Sequence, residues 1–165
     1  MTMQLSLRIV PALAIWPTLA LGCPTAAEGE GEGEDPAAEA CEHMADGPDI
    51  DVTAGGDFAT APDVSEPHTR HDVTLIDVVG GKGGSVTYAA SETTDHLLFL
   101  DASVPVAFFD GTSTPIVIED TSEDICAGIP VSHTVELPIG TVEIRFGPTT
   151  EESVSIVIEA GAHDD

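Results

Sequence analysis

Basic residues are scarce in this sequence, and their scarcity excludes one class of partner. The chain has 165 residues, with 4 Lys plus Arg against 30 Asp plus Glu, which gives a formal net charge of −26. Because affinity for nucleic-acid phosphates depends on Lys and Arg that displace counterions, we expect no nucleic-acid partner. Asn is absent, and aromatic residues make up only 4% of the chain, whereas 42% of its residues are hydrophobic. This composition fits one small domain plus some unstructured chain.

The sequence also has only one long hydrophobic run, which lies near its N-terminus. Residues 9–21 follow Arg8 and are interrupted by Pro11 and Pro17. The run is too short and too broken to span a bilayer comfortably as a permanent helix. A basic start, an apolar stretch and a small residue at the end predict a secretory signal peptide over residues 1–22.

The end of this segment reads Leu19-Ala20-Leu21-Gly22-Cys23 and resembles the lipobox of bacterial lipoproteins. The resemblance implies cleavage before Cys23 and acylation of that residue, with palmitate among the acyl chains. Ala20 stands where Leu is commonest in the family. The alternative is an ordinary signal peptide that is cleaved near Gly22, with Cys23 incidental.

An acylated Cys23 would make membrane lipid the first partner of the mature protein. Several acyl chains give stable anchoring, because each buried methylene adds about 0.8 kcal/mol. We therefore expect a lipid-anchored protein of the bacterial cell envelope, at the outer membrane, facing the periplasm or the outer surface. Residues 23–34 continue from the lipidated Cys with alternating Gly and Glu and predict a disordered acidic linker, since nothing there can form a core.

Residues 35–48 carry the start and stop signals of a short helix. Asp35 suits the N-cap and Pro36 the first turn, and a Gly-Pro pair at 47–48 ends the helix. If Cys23 is acylated, Cys41 and Cys126 are the remaining cysteines in an oxidising compartment, which predicts a disulfide between them. The alternative is a metal site that uses Cys41 with the nearby His43 and Met44.

Residues 49–165 predict an all-β domain. Many short segments alternate apolar and polar residues and are separated by Gly, Asp or Pro about every ten residues, which is typical of an antiparallel β-sandwich. We expect the acidic residues 119–124 to form a solvated loop between two strands. The predicted strands cover residues 72–79, 85–90, 96–100, 104–109, 116–118, 132–137, 141–146 and 153–159.

Residues 70–159 resemble the bacterial pre-peptidase C-terminal domain in their order of elements. The matching turns are Asp110-Gly111 and Leu137-Pro138-Ile139-Gly140-Thr141, although the family has more aromatic residues on these strands. The resemblance implies a jelly-roll-like sandwich that acts as an accessory or binding module, sometimes with calcium. The whole chain is also similar to small acidic lipoproteins, chiefly of myxobacteria, in which a Cys-Glu-His-Met segment precedes such a domain.

Two kinds of metal site are possible from residue type. His, Cys and Met suit copper or zinc, and acidic runs at 46–51 and 119–124 offer the carboxylates that calcium prefers. The simpler interpretation of the acidic runs is a solvated surface. The candidate copper or zinc ligands are His43, Met44, His68, His71 and His133.

The sequence offers no set of residues for catalysis. The stretches Gly83–Thr87 and Gly111–Pro115 begin like a nucleophile elbow but lack its closing Gly and its strand-to-helix context. We therefore expect a non-enzymatic binding or accessory module without a cofactor, whose ligand is an unidentified protein or small molecule. The alternatives are a copper- or zinc-binding lipoprotein and a calcium-binding domain.

Overall fold

The structure, a computed structural model, describes residues 35–161. The described residues form an all-β sandwich with one short helix, as the sequence predicted. The signal peptide, the acylation of Cys23 and the acidic linker lie outside the described residues and stay predictions. Within residues 35–161, no helix combines the length and apolar character that a membrane span requires.

Eleven strands in two sheets make up the sandwich. One sheet has six strands in the order β1-β2-β11-β5-β9-β8, and the other has five in the order β3-β4-β10-β6-β7. Neighbouring strands are antiparallel except β1 and β2, which pair in parallel. The elements are α1 (Pro36–Asp46), β1 (Asp49–Thr53), β2 (Arg70–Thr74), β3 (Ile76–Val78), β4 (Gly81–Ala90), β5 (Thr94–Leu100), β6 (Val106–Phe109), β7 (Pro115–Ile116), β8 (Asp120–Cys126), β9 (Ile129–Leu137), β10 (Gly140–Thr149) and β11 (Ser153–Ala160).

The main core lies between the two sheets. It is built by the alternation that the sequence shows, because successive strand residues point to opposite faces. In β10, for example, Val142, Ile144 and Phe146 are buried in this core, while Arg145 between them is exposed. In β11 the same rule directs Val154 and Ile156 inward and Val157 and Glu159 to the outer face of the six-stranded sheet.

Helix α1 packs against the outer face of the six-stranded sheet. Its N-terminus is capped by Asp35, whose carboxylate accepts a hydrogen bond from the backbone N–H of Ala37 at 3.0 Å. Ala40 and Met44 are buried in a second apolar cluster that β5, β9 and β11 complete with Phe99, Ile129 and Val157. The disulfide between Cys41 and Cys126 is present and joins α1 to the end of β8, which confirms the predicted pairing.

Apart from shifts at strand ends, three segments differ from the sequence prediction, and one of them is β1, which no predicted strand covers. The acidic run at 119–124 is not a solvated loop, because β8 begins at Asp120 and pairs with β9 at the edge of the sheet. An edge strand needs hydrogen bonds on one side only, so its carboxylates can remain in water, and charge there protects against aggregation. The predicted strand at 72–79 is divided at Leu75 into β2 and β3, which belong to different sheets.

Candidate metal centre

Four side chains capable of binding a metal meet where α1 crosses the end of β11. They are Glu39, His43, His68 and Glu159, and each offers one nitrogen or oxygen within 4.8 Å of the other three. We call these residues the His/Glu cluster. It is the single group of three or more such side chains found in residues 35–161.

Local structure explains how each member reaches the cluster. Glu39 and His43 are four residues apart in α1, so they lie on one helix face, a turn apart. His68 stands two residues before β2 and has a backbone φ of 53°, a left-handed conformation that His adopts more readily than most residues. Glu159 is on the outward side of β11, beside Val157 of the cluster that α1 covers.

The distances within the His/Glu cluster connect its members around Glu39. The Nδ1 atom of His68 lies 2.6 Å from Oε1 of Glu39 and 3.8 Å from Oε2 of Glu159. The Nε2 atom of His43 lies 3.5 Å from the same Glu39 oxygen. The two imidazole rings are tilted by 51° with centroids 5.3 Å apart, and each ring has a nitrogen within 3.5 Å of Oε1 of Glu39.

Glu159 is the most unusual member of the His/Glu cluster. It is only 6% exposed, and its Oε1 atom is buried without a hydrogen-bond partner. Burial raises the pKa of this carboxyl group, and nearby Glu39 raises it further, whereas His68 and His43 oppose the shift. A buried acceptor without a partner is costly, and a bound cation is one of the ordinary explanations for such a group.

Solvent can reach the His/Glu cluster from the helix side. A surface depression is lined by Asp35, Ala38, Glu39, Glu42 and His43, so two of the four members lie on its wall. The side chain of His68 is also 59% exposed. An entry path of this kind is one requirement of a metal site, and the additional carboxylates at the depression would attract cations.

The four donor atoms are of the types that bind zinc. Zinc is bound by His nitrogen and by Asp or Glu oxygen at about 2.0 to 2.2 Å, with four ligands arranged tetrahedrally in structural sites. Cu(I) prefers the soft sulfur of Cys and Met. Cys41 is consumed by the disulfide, and the side chain of Met44 is buried in the apolar cluster under α1. A thiolate site built on Cys41 is therefore not available in the oxidised protein.

The other predicted ligands lie apart from one another. His71 is 2% exposed on β2 and faces the interior of the sandwich, where burial lowers its pKa. The Nδ1 atom of His133 lies 2.9 Å from the hydroxyl of Thr121 at the β8–β9 edge. Of the five candidate ligands, the structure brings together only His43 and His68. Neither acidic run considered for calcium contributes to the His/Glu cluster.

Sequence reasoning missed both carboxylates of the cluster. Glu39 could have been found, because the spacing Glu-x-x-x-His on a predicted helix places Glu39 and His43 on one face. Glu159 had no comparable signal. The alternation in β11 assigns it to a face of the strand, but only the docked helix makes that face a buried one.

A second buried carboxylate lies on the outer side of the five-stranded sheet and is fully paired. Glu143 is 2% exposed and accepts a hydrogen bond from the Ser85 hydroxyl at 2.6 Å. Its two oxygens also accept from Nη2 of Arg145 at 3.1 and 3.0 Å. The guanidinium of Arg145 stacks over Phe109, with 4.3 Å from Cζ to the ring centroid. Glu143 and Arg145 therefore form a structural ion pair.

No protein-family model matches this chain, and no curated protein matches it. The similarity to lipoproteins and to the pre-peptidase C-terminal domain stays a prediction from the sequence.

Proposed function

We propose that this protein is a lipid-anchored β-sandwich of the bacterial cell envelope that binds one divalent transition-metal ion, zinc by the chemistry of its donors. The ion is held by Glu39, His43, His68 and Glu159. The observation that carries the proposal is the buried carboxylate of Glu159, whose Oε1 atom has no hydrogen-bond partner and whose Oε2 atom lies 3.8 Å from Nδ1 of His68. A cation there would supply the partner that this carboxylate lacks.

Charge balance supports a divalent ion. Two carboxylates and two neutral imidazoles carry two negative charges together, and one zinc ion would neutralise them. The coordinating groups must lose their protons to bind, and a cation favours the ionised form of a buried carboxylate. The charge of the whole chain acts in the same direction, since a field of excess carboxylates concentrates cations near the surface.

The proposed role is binding rather than catalysis. Four protein donors fill a tetrahedral zinc ion, whereas catalytic zinc keeps one position for water or substrate. A closed site stabilises the structure around it or holds the metal itself. The resemblance of residues 19–23 to a lipobox supports the proposed location at the membrane. In this proposal Cys23 is the residue that is attached to lipid.

Zinc titration of the mature protein tests the metal proposal. After chelator treatment, the protein should bind one zinc ion per chain in competition with a chromophoric chelator. Glu159→Gln and His68→Gln each remove one donor. Each should weaken binding by more than about 100-fold, because even the outer partners of metal ligands are worth 10- to 100-fold.

The matched controls replace the same residue types away from the cluster. His133→Gln and Glu136→Gln should leave zinc affinity within about twofold of the parent. Equal affinity in Glu159→Gln and the parent would refute the site. Intact-mass analysis of the membrane-extracted protein tests the anchor, which requires acyl chains on an N-terminal Cys23. An unacylated N-terminus after residue 23 would refute it.

A further inference from the structure

We infer that the Cys41–Cys126 disulfide controls metal binding at the His/Glu cluster, so that thiol reduction weakens the site and bound metal protects the disulfide. The inference rests on the proposed function and adds its regulation. Its structural basis is that one short helix carries both features. Cys41 lies in α1 between the two helix ligands, Glu39 and His43, and two residues from each.

Helix α1 depends on its attachments to the sheet. It has 11 residues, and isolated helices of this length are marginal in water. The attachments are the burial of Ala40 and Met44 in the apolar cluster, a hydrogen bond from Nη1 of Arg70 to the Met44 carbonyl at 3.0 Å, the contact between Glu39 and His68, and the disulfide. Of these, the disulfide is covalent, and it is the one that chemistry in the envelope can reverse.

The disulfide and the metal would hold α1 at different places on the sheet. Cys126 belongs to β8, at one edge of the six-stranded sheet, whereas Glu159 belongs to β11. Strands β5 and β9 lie between them, a separation of roughly 14 Å at about 4.8 Å per strand. The His/Glu cluster requires a docked helix, because α1 provides two of its four donors and the sheet side provides the other two.

Reduction would therefore change the metal affinity through helix docking. A thiol reductant donates two electrons, and the Cys41–Cys126 bond becomes two thiols while the reductant becomes a disulfide. Without that bond, α1 is docked for a smaller fraction of the time, and the apparent dissociation constant for metal rises in inverse proportion to that fraction. The coupling is reciprocal, so bound metal must make the disulfide harder to reduce by the same factor.

The first test compares the parent with Cys41→Ser/Cys126→Ser. Serines replace the cysteines because free thiolates would themselves bind zinc. We expect zinc to bind the double variant at least tenfold more weakly than the parent in the same chelator competition. Equal affinities within twofold would overturn the coupling but leave the zinc site intact. A parent that binds no zinc would instead refute the proposed function.

The second test needs no cysteine substitution and covers the case in which the double variant does not fold. The parent is equilibrated in glutathione redox buffers with and without saturating zinc, and the reduced fraction is measured by thiol alkylation and mass. A tenfold coupling lowers the midpoint by about 30 mV, since a tenfold change for two electrons is 29.6 mV. Glu159→Gln is the control, because zinc that binds the freed thiols shifts the midpoint of both proteins toward easier reduction. We expect zinc to leave the midpoint of the parent lower than that of Glu159→Gln. Equal zinc-dependent shifts in the two proteins, or a larger shift toward easier reduction in the parent, would overturn the inference.

Discussion

Two buried glutamates on opposite outer faces of the sandwich differ in the hydrogen-bond and ion-pair partners of their carboxylates. Glu143 on the five-stranded sheet has a hydroxyl and a guanidinium within 3.1 Å. Glu159 on the six-stranded sheet has one oxygen without a partner and one oxygen 3.8 Å from an imidazole nitrogen. Both side chains are almost inaccessible to water, so burial alone does not distinguish them.

The difference teaches which buried charge is structural and which is a candidate for ligand binding. Arg145 is next but one to Glu143 in the same strand, so a single β-strand places both partners of the ion pair on one face. No such partner is available to Glu159, whose neighbours are another carboxylate and two imidazoles. A paired carboxylate favours one conformation of the sandwich, whereas an unpaired one favours the binding of a cation.

Among the substitutions in the metal-free protein, the largest expected effect on stability comes from removing the charge of the paired glutamate. Glu143→Gln removes the negative charge and turns one of the two acceptor oxygens into an NH2 group, which cannot accept from Arg145. Hydrogen bonds to charged groups contribute about 1.5 to 3 kcal/mol each. Because Arg145 is half exposed and can be solvated by water, we expect a loss of about 2 kcal/mol in the free energy of unfolding. Urea unfolding of the chelator-treated, oxidised protein measures it.

The control for this change is an exposed glutamate of the neighbouring sheet. Glu136→Gln in β9 should change the free energy of unfolding by less than about 0.5 kcal/mol, as surface substitutions usually do. A Glu143→Gln protein as stable as this control would mean that the Arg145 pair contributes no net stability, and the contrast between the two glutamates would be lost.

The fold was largely predictable because its information is local. Alternation in β10 and β11 identifies strands and their inward faces, and Asp35 with Pro36 marks the start of α1. Strand β8 was not predictable, since its acidic residues have low strand propensity. Pairing with β9 and the disulfide at Cys126 compensate for the low strand propensity. Neither can be recognised from the acidic residues 119–124 alone.

The site was predictable only in part, because it is assembled from three distant segments. Residue type and spacing suggest His43 and His68 as candidates, but nothing in the sequence brings His68 to α1 rather than to His71, three residues away. The role of Glu159 depends on the helix that covers it. Sequence alone cannot distinguish this buried carboxylate from Glu143, since both follow a hydrophobic residue in an alternating strand.

The next effect has the opposite sign and concerns the unpaired glutamate. In chelator at pH 7, Glu159→Gln should leave the protein as stable as the parent or more stable by up to about 1 kcal/mol, because a neutral amide is less costly to bury than an unpaired charge. Urea unfolding compares the two proteins.

Added zinc should then stabilise the parent alone, by about 2.7 kcal/mol at 100 times its dissociation constant. A metal-free Glu159→Gln protein that is clearly less stable than its parent would place Glu159 in the same structural class as Glu143.

The smallest effect concerns a buried group that stays neutral, His71 on the inner face of the same sheet. Burial lowers its pKa below the ordinary 6.5, although a backbone hydrogen bond with Thr69 and the charges of Asp63, Glu66 and Asp72 oppose the shift. The unfolded chain therefore binds more protons than the folded one below about pH 6.5, and stability is lost as the pH falls through this window.

His71→Gln cannot take up that proton, so its stability should decrease less than that of the parent between pH 7 and pH 5. Urea unfolding in chelator at several pH values measures the difference, whose sign follows from the lowered pKa of His71. His133→Gln is the matched comparison, because burial also lowers the pKa of His133. Parallel stability curves for the parent and His71→Gln would show that this buried imidazole, unlike Glu159, has no electrostatic cost that the fold must compensate.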